Sequence, residues 1–130
     1  MDINQYGPFW LQSMLPKVWL HKPDLKGDST YFFGPILHHP TDMPAIYTKM
    51  AIHTATYAVF STPAVDTTHD KQQILFSQMI RDTWKYIFEE WIDNSNYRYD
   101  YEKYDFEFYD QRSVQGPQTT MDIYVPIKNK

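Results

Sequence analysis

Phe76, Ile80, Trp84, Ile87 and Trp91 recur at intervals of three and four residues. That spacing puts all five on one side of a single helix of about six turns. Arg81, Asp82, Lys85, Glu89 and Glu90 fall mostly on its other faces. A helix with one apolar stripe must lay that stripe on another element, so the rest of the chain has to supply a surface for it. Upstream, "AVDTTHDKQ" offers Thr67 or Thr68 as the cap, because a side-chain oxygen there accepts from a backbone N–H that the first turn leaves unpaired. Downstream, "DNSN" (93–96) stops the helix.

The segments around this helix read as strands. "YFFGPILHH" (31–39) is one, with Gly34-Pro35 marking a bulge or an edge position. "AIYTKMAIHTATYAVFSTP" (45–63) reads as two strands with a turn near Thr54-Ala55, since β-branched and aromatic residues dominate it. "YRYDYEKYDFEFYD" (97–110) is strand-like in its second half, and "QRSVQGPQTT" (111–120) is a polar loop. "MDIYVPIK" (121–128) is a last strand, with Met121, Ile123, Val125 and Ile127 on one face and Asp122, Tyr124 and Pro126 on the other. Near the N-terminus, "PFWLQSMLPKVWL" has helical apolar spacing at Phe9, Leu11, Met14, Leu15, Val18 and Trp19, interrupted by Pro16. "HKPDLKGDST" (21–30) reads as a turn, and "HPTDMP" (39–44) as a loop.

Several function classes are disfavoured. With 130 residues, 42% hydrophobic and 22% charged, the expectation is one domain, 1–130, with a real core. There is no cysteine, which excludes disulfides and thiolate chemistry. The N-terminus lacks the pattern of a signal peptide, and no run of 18 apolar residues exists, so a cytoplasmic protein without a membrane span is expected. A net charge of −4 argues against direct nucleic-acid binding. His38 and His39 are adjacent and face opposite ways in a strand, and no histidine spacing on the helix suits a metal, so no metal is expected. Four scattered glycines build no phosphate loop, no Gly-x-Ser-x-Gly elbow is present, and no cofactor is expected.

The chemistry centres on "DFEFYD" (105–110). Alternation gives Phe106 and Phe108 one face of the strand, and Glu107 and Tyr109 the other. The expectation is that Phe106 and Phe108 join the aliphatic face beneath the helix. Tyr124 then lies with Glu107 and Tyr109 on the side away from it. From Trp84 to Tyr109, 11 of 26 residues are aromatic. Rings attract a flat cation through dispersion and cation–π contact, worth about 0.5–2 kcal/mol each, and Glu107 would supply the counter-charge. The plainer alternative is a carboxylate solvated on an edge strand.

The pieces "TYAVFSTP" (56–63), "TWKYIFEEWIDNSNYRYD" (83–100), "YDFEFYD" (104–110) and "MDIYVPIK" (121–128) closely resemble, in order and spacing, the gyrase-inhibitor-like effector-binding domain found in AraC- and MerR-type multidrug regulators and as free-standing proteins. The resemblance covers about residues 45–128. It implies an α+β fold of duplicated β-α-β-β units in a curved antiparallel sheet, with helices on one face and a ligand groove on the other. It also implies binding of lipophilic, often cationic, aromatic compounds against a glutamate, at whose motif position Glu107 stands. Tyr57, Tyr109 and Tyr124 match strand motifs and are candidate wall residues. Trp84 and Trp91 match helix positions and fit either core or groove. Pro16 and the weak strand "DINQY" indicate a shortened or remodelled first repeat.

Three functions follow from the resemblance. The first is a small-molecule sensor or sink, with a separate DNA-binding partner for any role in transcription, because the chain shows no helix-turn-helix region. The second is a hydrolase of reactive electrophiles using Glu107 with Tyr109 or Tyr124. The third is a protein-partner inhibitor of the gyrase-inhibitor type. The sequence leaves the oligomeric state open.

Overall fold

Met121, Ile123, Val125 and Ile127 alternate along the last strand, and all four are buried. They form the floor on which the helix lies. The computed structural model describes residues 17–23, 29–35, 52 and 54–130. Their elements are strands β1 (Lys17–Pro23), β2 (Ser29–Pro35) and β3 (Tyr57–Ser61), then helix α1 (Ile74–Tyr86). The helix runs on through a π-helical turn (Ile87–Trp91) into a last short segment, α2 (Ile92–Asn94). Strands β4 (Tyr97–Tyr99), β5 (Asp105–Tyr109) and β6 (Asp122–Asn129) follow. The sheet has the order β2-β1-β5-β6-β3, and β4 pairs with the far end of β6. Every pairing is antiparallel, and the fold is α+β. β3, α1, β5 and β6 make one β-α-β-β unit. Of the other unit, the described residues contain the β1–β2 pair.

The helical stripe behaves as its period predicts. Phe76 and Ile87 are buried, and Ile80, Trp84 and Trp91 pack half-buried against the same cluster as Met121, Ile123, Val125 and Ile127. Full burial of an aliphatic side chain of this size stabilises by about 1.5–3 kcal/mol, so this layer is the main adhesive between helix and sheet. A second cluster covers the reverse face. Val18, Leu20 and Phe106 are buried there, with Tyr57, Tyr104, Phe108 and Tyr124 packed against them. Phe106 and Tyr124 stack at 4.5 Å, and Tyr57 meets Phe106 edge-on at 5.3 Å.

Three local expectations are corrected. Lys17–Pro23 is a strand, although Val18 and Trp19 fit a helical period. The two-residue alternation decides it: Val18 and Leu20 are buried on one face, while Trp19 is partly exposed on the other. Residues 21–23 and 29–30, read as part of a turn, belong to β1 and β2; 24–28 lie outside the described residues. Helix α1 is not capped by Thr67 or Thr68. The carboxylate of Asp70 accepts from the backbone N–H groups of Ile74 at 2.8 Å, Leu75 at 3.0 Å and Phe76 at 3.3 Å. A charged acceptor at the positive end of a helix suits both the unpaired donors and the dipole. Thr67 is buried instead, with its hydroxyl 2.6 Å from that of Thr119. The remaining strand reading, within 45–56, falls mostly outside the described residues, as do His38 and His39.

The correction with most consequence concerns which face is which. β5 pairs with β6 so that Glu107 opposes Ile123 and Phe106 opposes Tyr124. Directly opposed residues share a face. Glu107 and Tyr109 therefore sit on the helix-bearing side with the aliphatic floor, and Phe106, Phe108 and Tyr124 lie on the reverse side.

Candidate functional site

The face inversion brings Glu107 under the helix at a place where the floor is not aliphatic. β1 lies beside β5, with Trp19 opposite Glu107 and His21 opposite Asp105. All four side chains thus project from the same face. From above, α1 brings Trp84, and the π-helical turn adds Phe88 four residues on. Their rings stack at 5.7 Å with planes 4° apart. Between these two layers is a cavity of about 320 Å³ lined by Trp19, His21, Trp84, Phe88, Asp105 and Glu107. That volume lies within the range of small-molecule sites, roughly 300–1,000 Å³. Trp19 is backed by Phe33 on β2, ring to ring at 5.3 Å.

Each oxygen of Glu107 receives a hydrogen bond. The Trp84 indole N–H donates to Oε2 at 2.7 Å, and the Tyr109 hydroxyl donates to Oε1 at 2.5 Å. These two donors hold the carboxylate in place from the helix and from its own strand. Burial raises the Tyr109 phenol pKa, and the neighbouring Glu107 charge raises it further, so Tyr109 remains a donor at ordinary pH.

Asp105 is the second carboxylate, and it is fully buried. The Tyr99 hydroxyl donates to its Oδ2 at 2.7 Å, and His21 Nδ1 lies 2.8 Å from the same oxygen. Burial raises the Asp105 pKa, while Tyr99 and His21 oppose that rise. Tyr99 is itself pushed upward, first by burial and then by the Asp105 charge. No lysine or arginine lines the cavity among the described residues. Two carboxylates between aromatic walls are a chemistry that suits positive, partly apolar guests. The described residues contain no group of three histidine or acidic side chains placed to hold a metal ion.

The candidates from the sequence are distributed unevenly. Glu107 and Trp84 line the cavity, and Tyr109 bonds to Glu107. Tyr57 and Tyr124 belong to the reverse-face cluster, 5.9 Å apart ring to ring. They are on the opposite side of the sheet from Glu107, contrary to the expectation that Tyr124 accompanies it. Trp91 lies further along the helix, against Phe60 at 4.9 Å and Tyr97 at 6.2 Å. It borders a separate depression of about 180 Å³ with Tyr86, Glu90, Asn94 and Ser95.

Trp19, His21, Phe88 and Asp105 were not singled out by the sequence reading. Two of them had a signal. Asp105 is two residues from Glu107 on one strand, and Phe88 is four from Trp84 on one helix. Trp19 and His21 become visible only when residues 17–23 are read as a strand.

The model of the family described as Cass2, integron-associated effector binding protein, matches residues 11–127, which is nearly the whole chain. That family has the gyrase-inhibitor-like fold, and effector binding is binding of small molecules. No curated protein matches the chain at a significant level. Among the described residues, no helix is long and apolar enough to cross a membrane.

Proposed function

The chain belongs to the integron-associated effector binding protein family, and from that premise we propose that its cavity captures lipophilic cations, with Glu107 as counter-charge. Trp19, Trp84 and Phe88 are the aromatic walls in this reading, and the protein acts as a sensor or sink for such compounds. A role in transcription runs through a separate DNA-binding partner.

The observation that carries the proposal is the state of Glu107. It is half-buried in an aromatic cavity and held by two neutral donors, and no lysine or arginine is among the described residues that line that cavity. Neutral donors fix the position of a carboxylate without cancelling its charge. A guest cation therefore meets a placed, uncompensated negative group inside a partly dry space, where attraction exceeds that in bulk water. The aromatic walls add cation–π contact, about 0.5–2 kcal/mol for each ring engaged.

The test is a titration with a lipophilic cation dye. Binding at low micromolar affinity or better is expected. Glu107→Gln keeps the size and can still accept from Trp84 through its amide oxygen, with the Tyr109 hydroxyl turned to accept from the amide N–H, but it loses the charge and should weaken binding more than tenfold, about 1.4 kcal/mol. Equal binding by the two proteins would remove the counter-charge argument.

A second reading rests on the Tyr109–Glu107 hydrogen bond at 2.5 Å. A carboxylate can activate water and a phenol can donate a proton, so the pair suits hydrolysis of a reactive electrophile held in the cavity. Turnover that vanishes in Glu107→Ala would support this reading. Binding without turnover across a panel of strained electrophiles would reject it.

A further inference from the structure

Two carboxylates line the cavity, and capture of a single cation at Glu107 uses one of them. Asp105 and Glu107 are separated by one residue on β5, which sets their Cα atoms about 7 Å apart on the same face. The fold provides for them differently. Glu107 has a donor on each oxygen. Asp105 has both its donors, Tyr99 and His21, on Oδ2. Its Oδ1 is buried with no hydrogen-bond partner among the described residues.

An unpaired carboxylate oxygen in a fully buried side chain is costly, and native structures seldom leave one without a purpose. The contacts with Tyr99 and His21 account for Oδ2 as a tie between β4, β1 and β5, but they leave Oδ1 unexplained. Burial also raises the Asp105 pKa, the sign of an anion short of solvation. A donor arriving with a positive charge would relieve both deficits.

We propose that Asp105 is a second cation-binding point in the cavity, so that its preferred guests carry two N–H-bearing cationic groups about 7 Å apart, as in a diammonium or diamidinium compound with an apolar spacer. This rests on the reading of Glu107 as counter-charge and adds to it a requirement that Glu107 does not impose. A quaternary ammonium satisfies charge at Glu107, but it has no N–H to give Oδ1 of Asp105. The spacer lies between Trp19 on the sheet and the Trp84–Phe88 stack on the helix, which suits an aromatic or short aliphatic link.

The experiment is calorimetric titration of the full chain with three probes. These are p-xylylenediamine, its fully N-methylated bis-quaternary counterpart, and 4-methylbenzylamine as the monocation of similar size. Wild type should bind the diamine at least tenfold more tightly than either of the others. In Asp105→Asn the diamine-to-monoamine affinity ratio should fall from at least ten to about one.

Equal affinity of wild type for diamine and monoamine overturns the proposal. So does a diamine preference that survives in a folded Asp105→Asn. Should that variant fail to fold, the three probes on wild type decide: a preference for the diamine over both others upholds the proposal, and no preference rejects it. Glu107→Gln separates the two readings. Unchanged monoamine binding in that variant refutes the counter-charge role of Glu107, whereas the diamine-to-monoamine ratio reports on Asp105.

Discussion

The indole N–H of Trp84 donates to Oε2 of Glu107 at 2.7 Å, joining the helix to the strand beneath it. This bond makes Trp84 both a wall and a clamp. The helical stripe that buries Phe76 and Ile87 carries Trp84 on the same side, so the element that seals the core also positions the carboxylate. If the cavity captures a guest as proposed, binding and stability are coupled at this residue.

Trp84→Phe separates the two roles. The ring remains to pack against Phe88, and the donor is lost. A hydrogen bond to a charged group contributes about 1.5–3 kcal/mol when buried, and the half-exposed setting here lowers that to about 1 kcal/mol. Urea unfolding should show that loss as a lower midpoint with unchanged slope. Dye affinity should fall several-fold, because Glu107 loses the donor that holds it toward the cavity. An unchanged affinity together with the lower midpoint would make Trp84 a purely structural partner.

Tyr109→Phe distinguishes capture from hydrolysis. The phenol is held protonated by burial and by the charge of Glu107. It therefore fixes the carboxylate without taking its charge. Under capture, the variant loses one of the two donors that hold Glu107 but keeps the charge, so dye affinity should fall no more than several-fold, as for Trp84→Phe, while stability falls by about 1 kcal/mol. Under hydrolysis, losing the proton donor should reduce turnover by a hundredfold or more, in line with the usual contribution of general acid–base groups. Parallel titration and turnover assays on this one variant read both outcomes.

Much of this architecture is legible in the sequence, and the misreading of most consequence has a definite cause. The stripe Phe76–Ile80–Trp84–Ile87–Trp91 and the alternation Met121–Ile123–Val125–Ile127 each concern a single element, and each is found as the period dictates. Glu107 lines the cavity, as the family resemblance implies from its place at the glutamate position of "DFEFYD". The face it occupies was not expected. Alternation divides a strand into two sets, but it says nothing of which set joins which set on the neighbour. That is a matter of register, and a shift of one residue exchanges the faces.

The pairing of Glu107 with Ile123 supplies the missing fact. It moves Tyr57 and Tyr124 away from the carboxylate and brings Trp19, His21 and Asp105 to it. Trp19 was hidden for a second reason. Val18 and Trp19 are consecutive and both apolar, which a helical pattern admits as readily as a strand buried on both faces. Val18 and Leu20 are buried on one face of β1, and on the other face stands Trp19, an aromatic cavity wall, so β1 lacks the polar alternation that would identify it.

The start of the helix offers a test remote from the cavity. Asp70 holds the N–H groups of Ile74, Leu75 and Phe76, and Gln73 just before them adopts a left-handed φ of 56°. Asp70→Ala removes the acceptor for three donors and the favourable charge at that end. It should destabilise the chain by about 1–2 kcal/mol in denaturant unfolding. Thr68→Ala, at the position suggested by the sequence, should change stability by less than about 0.5 kcal/mol, as exposed substitutions usually do. The reverse order of effects would restore the threonine cap.

Asp105 gives a prediction whose sign follows from its surroundings. Burial raises its pKa above the ordinary 3.8, despite the opposing hydrogen bonds from Tyr99 and His21. In the folded chain Asp105 therefore keeps its proton at pH values where the unfolded chain has lost it. The stability this contributes is fully present below 3.8 and is lost as pH rises through the raised value. Asparagine does not titrate, so the melting temperature of Asp105→Asn minus that of wild type should climb as pH increases from about 3.5 and then level off.

Groups unconnected to Asp105 titrate alike in both proteins and cancel. Adding p-xylylenediamine should flatten the climb, because a cation at Oδ1 lowers the pKa that burial had raised. A difference curve that is flat without ligand would mean that the ionised carboxylate is adequately solvated where it sits. The unpartnered oxygen would then impose no penalty for a guest to relieve.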